Sequence, residues 1–203
     1  AGGTVYPMET IKANRKLADK YGLKLYLDGA RIWHAAIYHK IPPSEIAKNF
    51  DCVSVCFSKG LGAPVGSAVV STKENIKKAR RIRKMYGGGM RQVGIIAAGA
   101  LYALEHNYDR LTEDHRRAAL LVENLSQCKL FEFKKENVQT NIVVFSLRQP
   151  LKADILCQKL AEKNVRAIPF GAGRIRMVPH LDISDDDIEQ ASQIILETVK
   201  SLS

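Results

Sequence analysis

The sequence lacks any run long enough to span a bilayer. Its longest uninterrupted apolar stretch, "VGIIAAGALYAL" from Val93 to Leu104, falls short of the about 20 residues that a membrane helix needs. It also lacks a basic start followed by an apolar core and a small-residue cleavage site, which argues against secretion. Cysteine pairing motifs are missing too. The four cysteines are Cys52, Cys56, Cys128 and Cys157, and none forms a CxxC pair. Cys52 and Cys56 fall in an apolar segment, where buried thiols are common. The expectation is a reducing, cytoplasmic setting with no disulfide framework and no zinc site. No GxxxxGK[ST] occurs, which excludes a P-loop. Internal repeats and low-complexity segments are absent as well.

What is present is an ordinary globular composition, 46% hydrophobic and 26% charged over 203 residues. That length can bury one sizeable core, or a core with a smaller domain beside it. Acid is scarce relative to base: 21 Asp and Glu against 31 Lys and Arg leave a net charge of +10. Much of the excess is local. "KKARRIRKMYGGGMR", Lys77 to Arg91, carries seven basic residues and no acid. Such a run is either a solvated helix face or a site for an anion, nucleic acid or a small phosphorylated ligand.

Along the chain, apolar spacing predicts a helix over Pro7–Tyr21, with the proline in its first turn and Gly22 ending it. "LKLYLD" reads as a strand, "GARIWHAAIYHK" as a short helix, and "SEIAKNF" as another with Ser44 as its N-cap. "CVSVCFS" and "GSAVVS" read as strands, Lys73–Met85 as a basic helix opened by Thr72, and Gln92–Asn107 as a long helix. Strand and helix alternate here. The strands are apolar on both faces, which predicts an α/β sheet covered by helices on both sides. From about Asn107 the pattern changes. An amphipathic helix, four short strands, a helix over Ala153–Asn164 and a final helix from Ser184 make a smaller α+β unit. Ser184 is a strong N-cap candidate, followed by Asp185, Asp186 and Asp187, where the helix dipole favours anions. The expected domains are residues 1–106 and 107–203.

Two single charges stand out. Asp28 follows "KLYL" and precedes "GAR"; Lys59 follows "VCFS" and precedes "GLG". Both are predicted at carboxyl ends of strands, the edge where open α/β sheets bind ligands. A lysine there can serve as a nucleophile, since partial burial and neighbouring cations raise its fraction of free amine. An aspartate there can hold a pyridinium nitrogen protonated, the role it takes in pyridoxal 5'-phosphate (PLP) enzymes. Each residue also has a plainer reading, as a turn former or a solvated lysine. Gly60, Gly62 and Gly66 leave room for an aromatic ring beside the amine, or simply make a turn. The five histidines, His34, His39, His106, His115 and His180, read as packed or surface groups.

Together "LDGARIWHAA", "DCVSVCFSKGLGAPVGS", "KMYGGGMRQVGIIAAGALYAL" and "RMVPHLDIS" resemble the low-specificity L-threonine aldolases, PLP enzymes of the aspartate aminotransferase fold type (fold type I). The resemblance covers essentially the whole chain and implies the C-terminal part of such an enzyme. It implies a Schiff-base role for Lys59 and a pyridine-nitrogen role for Asp28. Arg31 and Arg176 would hold the substrate carboxylate, with Arg31 near the ring. Lys84 and Arg91 would lie near the cofactor phosphate, supplied across a subunit interface. It further implies cleavage of L-threonine or L-allo-threonine to glycine and acetaldehyde, a small-molecule amino-acid substrate, a homo-oligomer, and no nucleic acid or membrane partner. The phosphate-binding turn and a ring-stacking histidine would lie upstream of "GGTVYP". Other readings stay open: another fold-type-I PLP reaction, such as transamination or β-elimination, and a non-catalytic fragment or anion-binding module using Lys77–Arg91.

Overall fold

The computed structural model describes residues 2–202, which form two compact units. One is Tyr6–Leu111; the other takes residues 2–5 together with 112–202.

The first unit begins with α1 (Met8–Lys20), whose N-cap is Pro7. Gly22 follows with φ +64°, the left-handed region that favours glycine after a helix. The chain then runs β1 (Tyr26–Gly29), α2 (Ile32–His39), α3 (Pro43–Ala47), β2 (Cys52–Cys56) and β3 (Ser67–Ser71). β1 and β2 are parallel, with Asp28 opposite Ser54. β2 and β3 are antiparallel, so the strand order is β1-β2-β3. The basic helix α4 (Lys73–Met85) and the largely apolar α5 (Gly94–Asn107) follow. The Thr72 side chain accepts the Asn75 amide at the start of α4. Ser44 does not cap α3. Pro42 takes that place and Pro43 the first helical position, because a fixed φ and a missing N–H suit proline to that turn.

In β2 the side chains alternate, with Val53 and Val55 buried. They pack with Ile11, Ile32, Ala36 and Ile46. The expected cover on both faces of the sheet is not what the structure shows. Val69 and Val70 of β3 are 49% and 51% exposed. With three strands, two of them are edges, and only β2 has neighbours on both sides.

The second unit contains most of α6 (Leu111–Leu125), then β4 (Phe131–Phe133), a short 3-10 turn, β5 (Val143–Leu147), α7 (Ala153–Glu162), β6 (Ile168–Pro169), β7 (Arg174–Met177) and α8 (Asp185–Leu202). Its sheet is antiparallel throughout, in the order β4-β5-β7-β6. Leu121, Leu125, Val143, Leu156, Leu160, Ile175 and Ile195 fill one core between sheet and helices. Ser184 caps α8 reciprocally. Its hydroxyl accepts the Asp187 amide at 3.1 Å, and its own amide donates to the Asp187 carboxylate at 2.8 Å.

Candidate active site at the carboxyl edge of the parallel strands

β1 and β2 run in the same direction, so their carboxyl ends share one edge of the sheet. Asp28 is the third residue of the four in β1. It is exposed, and its Oδ1 accepts the Ala30 amide at 3.1 Å. Its Oδ2 has no hydrogen-bond donor among the described residues and remains an available acceptor. Gly29 follows because the backbone passes close to β2 there. A Cβ on Gly29 would lie 2.7 Å from the Ser54 carbonyl oxygen. Arg31, half-buried, is the N-cap residue of α2. One turn of chain therefore takes a carboxylate from the strand end to a guanidinium at the helix start.

Lys59 lies three residues beyond the end of β2, on the same edge as Asp28. Its side chain is exposed and makes no hydrogen bond or ion pair among the described residues. The segment carrying it is nevertheless well fixed. The Phe57 amide donates to the Gly66 carbonyl at 3.0 Å, the Ala63 amide to the Phe57 carbonyl at 3.0 Å, and the Gly62 amide to the Lys59 carbonyl at 2.8 Å. Gly62 and Gly66 have φ of +74° and +122°, which this loop requires. Leu61 is fully buried against Ala63, Ala103 and Leu111, and its carbonyl accepts Asn107 Nδ2 at 2.8 Å. The result is a loop tied down by its backbone and by Leu61, with one exposed amine on it.

Gly60 departs from the expectation that the glycines leave open space. A Cβ there would meet the ring of His34 at 2.2 Å, far inside any tolerated contact. The glycine is needed for close packing against His34 and Leu111. Trp33 was passed over in the sequence, yet it grips this segment. Its Nε1 donates to the Cys56 carbonyl at 2.8 Å, and its ring stacks on Phe57 with centroids 6.1 Å apart. The signal available was its place, two residues after Arg31 on the helix that follows the strand-end aspartate. Tyr108 meets Trp33 edge-on, and burial pushes its phenol pKa up.

Lys84 and Arg91 are both exposed, the first in the last turn of α4 and the second in the loop before α5. No hydrogen bond or ion pair among the described residues joins either of them to Lys59 or Asp28. In the second unit, Arg176 sits on β7 opposite Val144 and Ile168. Its guanidinium lies over the Phe170 ring, 6.0 Å from the centroid. Its Nε is buried without a hydrogen-bond partner. A buried donor left unmatched costs about 1–3 kcal/mol, and a carboxylate is the acceptor that suits a guanidinium best.

In the first unit an unpartnered amine and a carboxylate with a spare acceptor stand on one strand edge, donor types that suit PLP. In the second unit, by itself, Arg176 has a donor to offer an anion. His39 and His106 are already engaged, by the Tyr6 and Tyr102 carbonyls at 2.9 Å each.

Comparison with known proteins gives a consistent result. Residues 1–148 match the family described as beta-eliminating lyase. An Arabidopsis thaliana protein named "Probable low-specificity L-threonine aldolase 2" is 43% identical over 190 residues, covering 93% of this chain and 54% of that protein. The low specificity L-threonine aldolase of Escherichia coli K12 is 37% identical over 192 residues, covering 94% of this chain and 55% of its own length. Among solved structures, a threonine aldolase from Leishmania major superposes with a TM-score of 0.77 at 19% identity, over 98% of this chain and 58% of that one. The chain thus spans about half the length of the relatives it matches, and it shares the fold of threonine aldolases.

Proposed function

This chain belongs to the beta-eliminating lyase family, and from that premise we propose that it is part of a PLP-dependent aldehyde-lyase of the low-specificity L-threonine aldolase kind. Its substrate would be L-threonine, L-allo-threonine or a related β-hydroxy amino acid, and its products glycine and acetaldehyde. The observation that carries the proposal is the pair at the shared strand edge: a Lys59 amine without a partner and an Asp28 carboxylate with a free oxygen. On this reading residues 1–106 supply part of the cofactor-binding domain and residues 107–203 the small domain.

Once bound, PLP supplies a ring that accepts the electron pair left when a bond to Cα breaks. Lys59 would hold it through its amine. Asp28 would accept a hydrogen bond from the ring N–H and, as a carboxylate, keep that proton in place. Arg31 and Arg176 would bind the substrate carboxylate by charge-assisted hydrogen bonds and so fix which bond at Cα is aligned for cleavage. Lys84 and Arg91 would complete an anion site for the cofactor phosphate from a second copy of the chain. Exposed Met85, Tyr86, Met90 and Ile95 beside them, at 74%, 86%, 59% and 84%, supply the apolar surface that such a contact would bury. The basic run would then serve small anions within a homo-oligomer, with no role for nucleic acid or membrane, in a cytoplasmic setting.

Borohydride reduction of the chain mixed with PLP, followed by peptide mapping, tests the reading. A single label on Lys59, lost in Lys59→Ala, is expected. Labels scattered over surface lysines would overturn it for this chain. Product analysis then separates the chemistries: glycine with an aldehyde supports the aldolase, whereas a keto acid would replace it with transamination or β-elimination.

A further inference from the structure

We propose that His34 is a positioning residue for Lys59, acting through the backbone of Gly60. His34 is 1% exposed and sits in the first turn of α2, three residues after Arg31 and six after Asp28. Its ring fills the volume that a side chain at Gly60 would occupy. A Cβ built there would lie 2.2 Å from Nε2, 2.9 Å from Cε1 and 3.0 Å from Leu111 Cδ2. Such distances lie far up the repulsive wall, so no side chain fits at residue 60, and the imidazole edge packs against the face of Gly60 that a Cβ would occupy.

The neighbouring side chain does the complementary job. Trp33 holds the Cys56 carbonyl, three residues before Lys59, while His34 abuts the residue immediately after it. Adjacent residues of one helix thus bracket the lysine on both sides in sequence. The same helix begins at Arg31 and follows directly from Asp28. A rigid ring with two torsions transmits that placement better than a flexible aliphatic chain would. The lysine side chain keeps its freedom, but the Cα from which it swings is set by α2. The three groups read as ligand-binding on this edge therefore share one mechanical reference. The inference rests on the proposed role of Lys59 for its functional meaning; the packing of His34 on Gly60 stands without it.

Four variants test this: His34→Ala, His34→Gln, Gly60→Ala and the double variant His34→Ala/Gly60→Ala. Two readouts are taken well below the melting temperature of every variant. One is hydrogen–deuterium exchange of peptides covering residues 57–63. The other is the share of borohydride-trapped PLP found on Lys59. His34→Ala is expected to raise exchange at residues 59–62 and to lower the Lys59 share, each by about tenfold, as for groups in direct contact. His34→Gln, of similar volume, retains most of both. Gly60→Ala does as much damage as His34→Ala. The double variant recovers to within about threefold of the parent, because the new methyl enters the vacated space.

Unchanged exchange at 59–62 in His34→Ala would overturn the inference. So would damage from Gly60→Ala that removing the ring does not relieve. If the parent chain traps no PLP on Lys59, the proposed function fails while the exchange data still decide the positioning. If trapping on Lys59 is normal in the parent and in all four variants, the function stands and the positioning role falls.

Discussion

Truncating Leu61 to alanine removes the anchor of the loop that carries Lys59. Leu61 is wholly inaccessible and packs with Ala63, Ala103 and Leu111, with Trp33, Phe57 and Tyr108 around them. The loop has no strand partners of its own between residues 58 and 65, so this side chain carries much of its tertiary attachment. Losing its buried carbons forfeits about 2 kcal/mol of transfer free energy. The cavity adds more, since rigid neighbours such as the Trp33 and Tyr108 rings cannot collapse into it, and the total comes to about 3 kcal/mol. The assay is urea unfolding followed by tryptophan fluorescence. Trp33 is the single tryptophan of the chain and belongs to this cluster, so the signal reports on the unit concerned. With a slope of about 1.5 kcal/mol per molar urea, the midpoint should fall by about 2 M. A loss below about 1 kcal/mol would refute the reasoning, because it would mean that the loop is held by its backbone hydrogen bonds and the side chain is incidental.

Other consequences follow from local geometry. Thr72→Ala removes the acceptor for the Asn75 amide, a bond of 3.3 Å, and should cost about 0.5–1 kcal/mol, with helix fraying at Lys73–Lys77 seen as faster amide exchange there. Burial lowers the pKa of His115 from 6.5 to about 4. The unfolded chain therefore takes up a proton that the folded one refuses. Stability from this group is complete above pH 6.5 and is lost as pH falls towards about 4; His115→Gln should flatten the melting temperature across that window. Hydrogen bonds from Arg116 and Arg117 lower the Asp185 pKa from 3.8 to about 2. That contribution is present above pH 3.8 and is lost as pH falls through about 2. Asp185→Asn should remove the lower window and leave the upper one intact, as read by acid titration of near-ultraviolet circular dichroism.

How much of this was legible in the sequence depends on how far apart the deciding residues are. The start of α4 was readable to the residue and its end closely, since a capping threonine and a glycine run act within a few positions of the helix they bound. Asp28 and Lys59 were readable as strand-end charges for the same reason, and parallel pairing of β1 with β2 then puts them on one edge. β7 falls where "RIRMVP" reads as one of the four short strands, and in the structure Ile175 and Met177 enter the core while Arg174 and Arg176 alternate with them. The reason for Gly60 was not readable. It depends on a ring 26 positions earlier, and neither residue's neighbours in sequence hint at the other. A glycine next to a lone lysine fits two opposite accounts, space left open or space already filled, and composition cannot choose between them. The exposed Val69 and Val70 fail in the same way, because an apolar strand face records what wants covering and not what covers it. The most consequential contacts for the candidate site, Trp33 on Cys56 and His34 on Gly60, are of this long-range kind. They are also the contacts that tie the backbone on both sides of Lys59 to the helix that follows Asp28, so the two separately readable charges hang from one connected piece of the fold.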